Sequence, residues 1–84
     1  MMSFSAHKIG GPKGIGALYI TEKLRNPRPL LPGGGQESAL RSGTEATAQI
    51  AGFARAVELR TENYAAKMAK MAELKAYCRE KMLS

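Results

Sequence analysis

Three kinds of residue are scarce in this 84-residue chain. There is one cysteine, Cys78, and one histidine, His7. A lone cysteine excludes an internal disulfide framework, and with a lone histidine it excludes a Cys- or His-rich metal site. No run approaches the roughly 18 apolar residues of a membrane span. Lys8, Lys13 and four glycines interrupt residues 1–20, so that stretch lacks the apolar core of a secretory signal. The expected compartment is the cytoplasm, with no membrane contact. Aromatic residues make up 6% of the chain. None alternates with basic residues to form a stacking platform for bases, and this argues against nucleic acid as a partner.

The formal net charge is +6. It is spread out: residues 60–84 carry six basic and three acidic residues, interleaved at helical spacing. That pattern is a solvated helix face more often than a nucleic-acid footprint. Hydrophobic residues make up 44%, ordinary for a globular protein. The length allows one domain at most. A chain this short buries only about 60% of its unfolded surface, so an independent fold would be marginal.

Glycine and proline divide the chain in two. Residues 1–44 hold eight of the nine glycines and all four prolines; residues 45–84 hold only Gly52. Short strands and turns are expected first, then helix. Met1 to Ser5 reads as a short strand, Gly10 to Gly14 as a turn, and Ile15 to Thr21 as a second strand. Asn26 to Pro29 reads as extended or turn, Leu30-Leu31 as a brief strand, and Pro32 to Gly35 as a loop. Thr44 has the chemistry of a helix N-cap, and Glu45 adds favourable charge to the first turn. Ala46, Ile50, Phe53 and Val57 share one helix face. A second stripe runs through Tyr64, Met68, Met71, Cys78 and Met82, with Leu74 beside it. No proline or glycine separates the stripes, so residues 44–82 are expected to form one long or gently kinked helix of about 58 Å. Forty residues of strands and loops can hardly cover such a rod.

Several local motifs fail on inspection. Ser5-Ala6-His7-Lys8 matches the S-x-x-K acylation pattern, but its S-D-N and K-T-G partners are missing. Taken locally, it is a strand ending in a polar turn. No window fits the Walker A loop, and Gly14-Ile15-Gly16 lacks the third glycine of the dinucleotide fingerprint. Cys78 lies on an apolar stripe, where a thiol is usually structural and inert.

A longer string carries more information. Ser-Ala-His-Lys-Ile-Gly-Gly-Pro-Lys-Gly-Ile-Gly-Ala-Leu-Tyr, residues 5–19, closely resembles the cofactor-lysine segment of cysteine desulfurases, fold-type I pyridoxal-phosphate enzymes of the class V aminotransferase group. Gly33-Gly34-Gly35-Gln36-Glu37 and Leu40-Arg41-Ser42-Gly43-Thr44 resemble the family's second signature, and Ala51-Gly52-Phe53 continues it. The two blocks stand in the family's order and at about its spacing. Ala39 departs from the pattern, occupying a position that is often glycine.

The resemblance implies an α/β fold: part of the large domain, with short strands over 1–31 and a long helix over 44–82. Residues 1–44 would be the cofactor-lysine segment and 45–84 the helix leading toward a small domain. It implies pyridoxal 5'-phosphate as cofactor, bound as a Schiff base to Lys8, a role that needs a primary amine. It implies that Ser5 and His7 contact the cofactor phosphate and that Thr44 reaches the phosphate of a partner subunit's cofactor. The implied activity converts L-cysteine to L-alanine and leaves the sulfur as an enzyme persulfide for iron–sulfur cluster or thio-cofactor synthesis. The implied partners are a second identical subunit and a sulfur-acceptor protein. The family's cofactor-ring aspartate, ring-stacking histidine and first phosphate loop lie upstream of this segment, and its persulfide cysteine lies downstream. The expectation is therefore an internal fragment, inactive alone, in which Cys78 does not carry the persulfide. Two alternatives stay open: a related enzyme such as a selenocysteine lyase, and a small basic binding protein that has kept the segment without catalysis.

Overall fold

A computed structural model describes residues 1–84. The chain opens with an antiparallel hairpin, β1 (Met2–Ser5) and β2 (Gly16–Tyr19), paired from Met2 with Tyr19 to Ser5 with Gly16. A 3-10 turn over Ala6–Ile9 follows β1 directly. A second 3-10 turn spans Gln36–Ala39, and two helices complete the chain, α1 (Thr47–Thr61) and α2 (Tyr64–Leu83). Strands followed by helices agree with the expected fragment of an α/β enzyme.

The hairpin forms where the residues ask for it. Phe4 and Tyr19 favour extended backbone, and the Gly10–Gly14 stretch between the strands supplies positive φ at Gly10 and Gly14. The expected strand over Ile15–Thr21 is trimmed to Gly16–Tyr19. Leu30-Leu31 forms no strand: Leu30 is 96% exposed, and the Leu31 carbonyl accepts a hydrogen bond from the Ser42 hydroxyl instead of a strand amide.

The single rod expected over 44–82 is corrected to two helices. Asn63 takes a left-handed conformation, φ 53°, ψ 33°, and breaks the ladder. Asparagine is among the few non-glycine residues that visit this region readily. Side chains add bonds at the end of α1. The Thr61 hydroxyl donates to the Val57 and Glu58 carbonyls at 2.9 and 3.0 Å. The Lys67 ammonium reaches back from α2 to the Leu59 carbonyl at 2.8 Å. The Glu58 carbonyl also accepts the Glu62 amide at 3.0 Å, so of these carbonyls only that of Leu59 lacks a main-chain partner, and a cation fills that place. The N-terminal boundary also moves. Ala46 occupies the cap position of α1 with no side-chain cap, and Thr44 lies outside the helix, so Thr44 is not its N-cap.

Little of the chain is buried: Ala6 and Ala56 alone. The radius of gyration is 18.1 Å, against about 12 Å for a compact chain of this length. The stripe of Tyr64, Met68, Met71, Leu74 and Met82 is uncovered along α2, as the lack of partner surface led one to expect. Cys78, expected to be buried on that stripe, is exposed, with its Sγ 3.7 Å from Met82 Sδ. No helix is long and apolar enough to cross a membrane.

Candidate functional site

The turn that presents Lys8 is held by its main chain. Ser5 closes β1 opposite Gly16, and the next residue, Ala6, is fully buried. The Ala6 amide donates to the Ile15 carbonyl at 3.1 Å. The Ala6 carbonyl accepts from the amides of Gly10 and Gly11, the latter at 2.9 Å. Gly10 ends the turn at φ 83°, a left-handed cap that glycine takes without cost. With both ends pinned, His7 and Lys8 project from a fixed platform, and both side chains are exposed.

Helix α1 backs this platform through small residues. A β-carbon at Gly52 would stand 2.7 Å from Pro12 Cγ. A β-carbon at Gly11 would stand 3.0 Å from the Ala6 methyl and 3.2 Å from that of Ala56. Glycine inside a helix costs about 1 kcal/mol relative to alanine. At Gly52 that cost accompanies an approach that no larger residue permits.

Between the hairpin and α1 lies an open groove of about 710 Å³. One wall carries Ser3, Phe4, Ser5, Lys8, Ile9 and Ala17; the other carries Ile50, Phe53, Ala54 and Val57. Its walls are mainly apolar, and its polar groups gather on the hairpin side, the usual make-up of a small-molecule site. The stripe read from the sequence at Ile50, Phe53 and Val57 thus lines the groove, and the packing contact falls to Gly52 and Ala56 beside it.

The four residues singled out from the sequence do not all meet. Ser5 and Lys8 share the groove; His7 and Thr44 are not among its lining residues. The hydroxyls of Ser5 and Thr44, the His7 ring and the Lys8 ammonium make no hydrogen bond or ion pair within the chain. Thr44 follows Gly43, whose φ is 110°, in the connection to α1. That connection is closed on itself. Ser42 Oγ donates to the Leu31 carbonyl at 2.9 Å, the Gly43 amide donates to Gln36 Oε1 at 3.3 Å, and the Arg41 guanidinium donates to the Ser42 carbonyl. Within it, Glu37, Ser38 and Ala39 are all left-handed, with φ of 50°, 57° and 61°. The sequence reading passed over Ala6, Gly11, Pro12 and Ala56. The signal that could have found them was Gly52, one glycine inside an otherwise glycine-free helical half.

Comparison with known proteins places the family. The family model of aminotransferase class-V matches residues 1–84. A mitochondrial cysteine desulfurase of Arabidopsis thaliana is 62% identical over 60 residues, 70% of this chain and 13% of the relative. The cysteine desulfurase IscS of Pseudomonas fluorescens is 54% identical over 67 residues, 79% of this chain and 17% of the relative. A solved structure of a NifS-like protein superimposes with a TM-score of 0.84 at 43% identity, covering 96% of this chain and 22% of that one. The chain thus spans between 12% and 19% of the length of the curated relatives it matches. It belongs to the class-V aminotransferase family, on the branch represented by its cysteine desulfurase relatives.

Proposed function

We propose that this chain is the cofactor-lysine segment of a pyridoxal-phosphate-dependent cysteine desulfurase, with Lys8 as the lysine that binds the cofactor. The observation that carries the reading is the placement of Lys8. It is an unpaired primary amine on a turn pinned by three main-chain hydrogen bonds, at the wall of a groove it shares with Ser5. The donor set fits a phosphorylated aldehyde: an amine able to form an imine, with an uncommitted hydroxyl three residues before it and an imidazole beside it.

When bound, pyridoxal phosphate serves as an electron sink for bonds at the α-carbon of an amino acid. Lys8 Nζ would hold the group covalently at the wall of the groove. The Lys8 amine would also be the group that moves the proton at the substrate α-carbon. Ser5 and His7 would donate hydrogen bonds to the phosphate, and Thr44 would donate across a homodimer interface to the phosphate held by the other subunit. Residues 1–44 build the cofactor wall, and the helices carry the chain toward the small domain. In the complete reaction a cysteine thiol of the enzyme other than Cys78 takes the sulfur. The substrate C–S bond breaks, an S–S bond forms, and alanine leaves with the proton that replaces sulfur. A sulfur-acceptor protein then receives the persulfide sulfur.

The test is a graft, in which this chain replaces the matching segment of the Pseudomonas fluorescens relative. Borohydride reduction should fix the cofactor to Lys8, as read by peptide mass spectrometry. Lys8→Ala should abolish the visible absorbance of the bound cofactor and turnover. Attachment at Lys13 or Lys23 would overturn the assignment.

A further inference from the structure

We infer that Gly52 and Ala56 of α1 are positioning residues for the Lys8 turn, acting through Pro12 and Gly11. This rests on the reading of Lys8 as the cofactor lysine. Two residues of the chain are buried, Ala6 and Ala56, and Gly11 stands between their methyl groups. Ala6 begins the Lys8 turn, and its carbonyl is bonded to the amides of Gly10 and Gly11. The path from α1 to the Lys8 main chain therefore contains a methyl, a glycine backbone and a hydrogen-bonded carbonyl. No long side chain lies on that path to absorb a displacement. At Gly52 the neighbour is the Pro12 ring, which cannot swing aside as a flexible side chain would. Close-packed contacts of this kind transmit strain instead of relaxing it.

The prediction is that a bump at Gly52 moves Lys8 without melting the fold. In the grafted enzyme freed of cofactor, the readout is the rate at which pyridoxal phosphate is captured on Lys8, followed by absorbance and by borohydride mapping. Gly52→Ala should slow capture by about tenfold or more, since misplacement of a reacting group by about 1 Å costs up to a hundredfold. Adding Pro12→Ala removes the ring atoms that the new methyl meets, and the double variant should return to within about threefold of the parent. Ala56→Gly, which opens a void behind Gly11 and demands no repacking, should also slow capture. A purely structural role predicts something else: Gly52→Ala lowers the melting temperature while the folded enzyme captures cofactor at the parental rate, with no rescue by Pro12→Ala. That result, or an unchanged rate in Ala56→Gly, overturns the inference and leaves the assignment of Lys8 standing. Failure of the unsubstituted graft to capture cofactor on Lys8 overturns both.

Discussion

Gly16 of β2 lies against the Phe4 carbonyl of β1 so closely that a β-carbon there would stand 2.6 Å from the oxygen. Phe4 sits one pair from the end of the hairpin, and Gly16 stands in the last pair, facing Ser5, which leads into the Lys8 turn. Gly16→Ala should therefore push β1 and β2 apart at the end that carries the site. Overpacking of this kind costs about 1–3 kcal/mol. In the grafted enzyme, amide exchange of Ser3 to Ala6 should accelerate by about tenfold or more. Unchanged protection of those amides would show that the hairpin bends to accommodate the methyl.

The left-handed run at Glu37, Ser38 and Ala39 yields a second test. Each L-residue held there costs about 1–2 kcal/mol. Glycine at position 39 relieves that strain but gives the unfolded chain more freedom, about 0.5–1 kcal/mol in the other direction. Ala39→Gly should leave the grafted enzyme as stable or up to about 1 kcal/mol more stable. Ala39→Val, with a branched β-carbon at φ 61°, should lose about 1–2 kcal/mol. Denaturant unfolding of the pair decides it; a valine variant as stable as the parent would mean the turn does not keep this conformation.

The isolated 84-residue chain should associate. It exposes 7459 Å², where a compact protein of its 9.0 kDa would expose about 4,900 Å². Tyr64, Met71, Leu74 and Met82 stand uncovered along α2, and the hairpin shows Met2, Phe4, Leu18 and Tyr19. Exposed apolar side chains gathered along one helix and one hairpin drive association. Purified chain should elute above monomer size, bind a hydrophobic dye and release no alanine from cysteine beyond the level of free cofactor. A dispersed monomer without dye binding would count against the uncovered stripe, and measurable alanine release would count against the need for the rest of the enzyme.

What was legible in the sequence was what short-range chemistry decides. The Gly10–Gly14 turn and its flanking strands follow from residues within ten positions of one another. Helix in the second half follows from the near-absence of glycine and proline. The break at Asn63 was not legible, because no glycine or proline marks it. It depends on Lys67 reaching back eight residues to Leu59 and on Thr61 bonding its own last turn. Leu31 failed as a strand for the same kind of reason: its partner is Ser42, eleven residues on. At the site, local pattern at Ser5 to Lys8 pointed no further than a polar turn. The longer string carried the resemblance, and the hydrogen bonds of Ala6 supply the physical reason that the turn holds its lysine out.

Thr44 supplies the last prediction, because the structure removes its simplest structural role. It does not cap α1: the cap position is Ala46, and the Thr44 hydroxyl makes no hydrogen bond within the chain. An exposed hydroxyl behind a glycine at φ 110°, on a connection braced by Ser42, Gln36 and Arg41, is free to serve another surface. If that surface is the cofactor phosphate of a second subunit, subunit mixing reveals it. One grafted subunit carries Thr44→Ala and the other Lys8→Ala. Acting across the interface, the two defects fall in one site of a mixed dimer and leave the other site intact, so activity should partly return on mixing two weak or inactive homodimers. Acting within one subunit, each mixed site keeps one defect and no intact site forms. Losing a hydrogen bond to a charged phosphate costs about 1.5–3 kcal/mol, so the Thr44→Ala homodimer should retain roughly a tenth to a hundredth of parental turnover. Recovery on mixing is therefore measured against that residue of activity. Its absence, with heterodimers counted by native mass spectrometry, rejects the cross-subunit role.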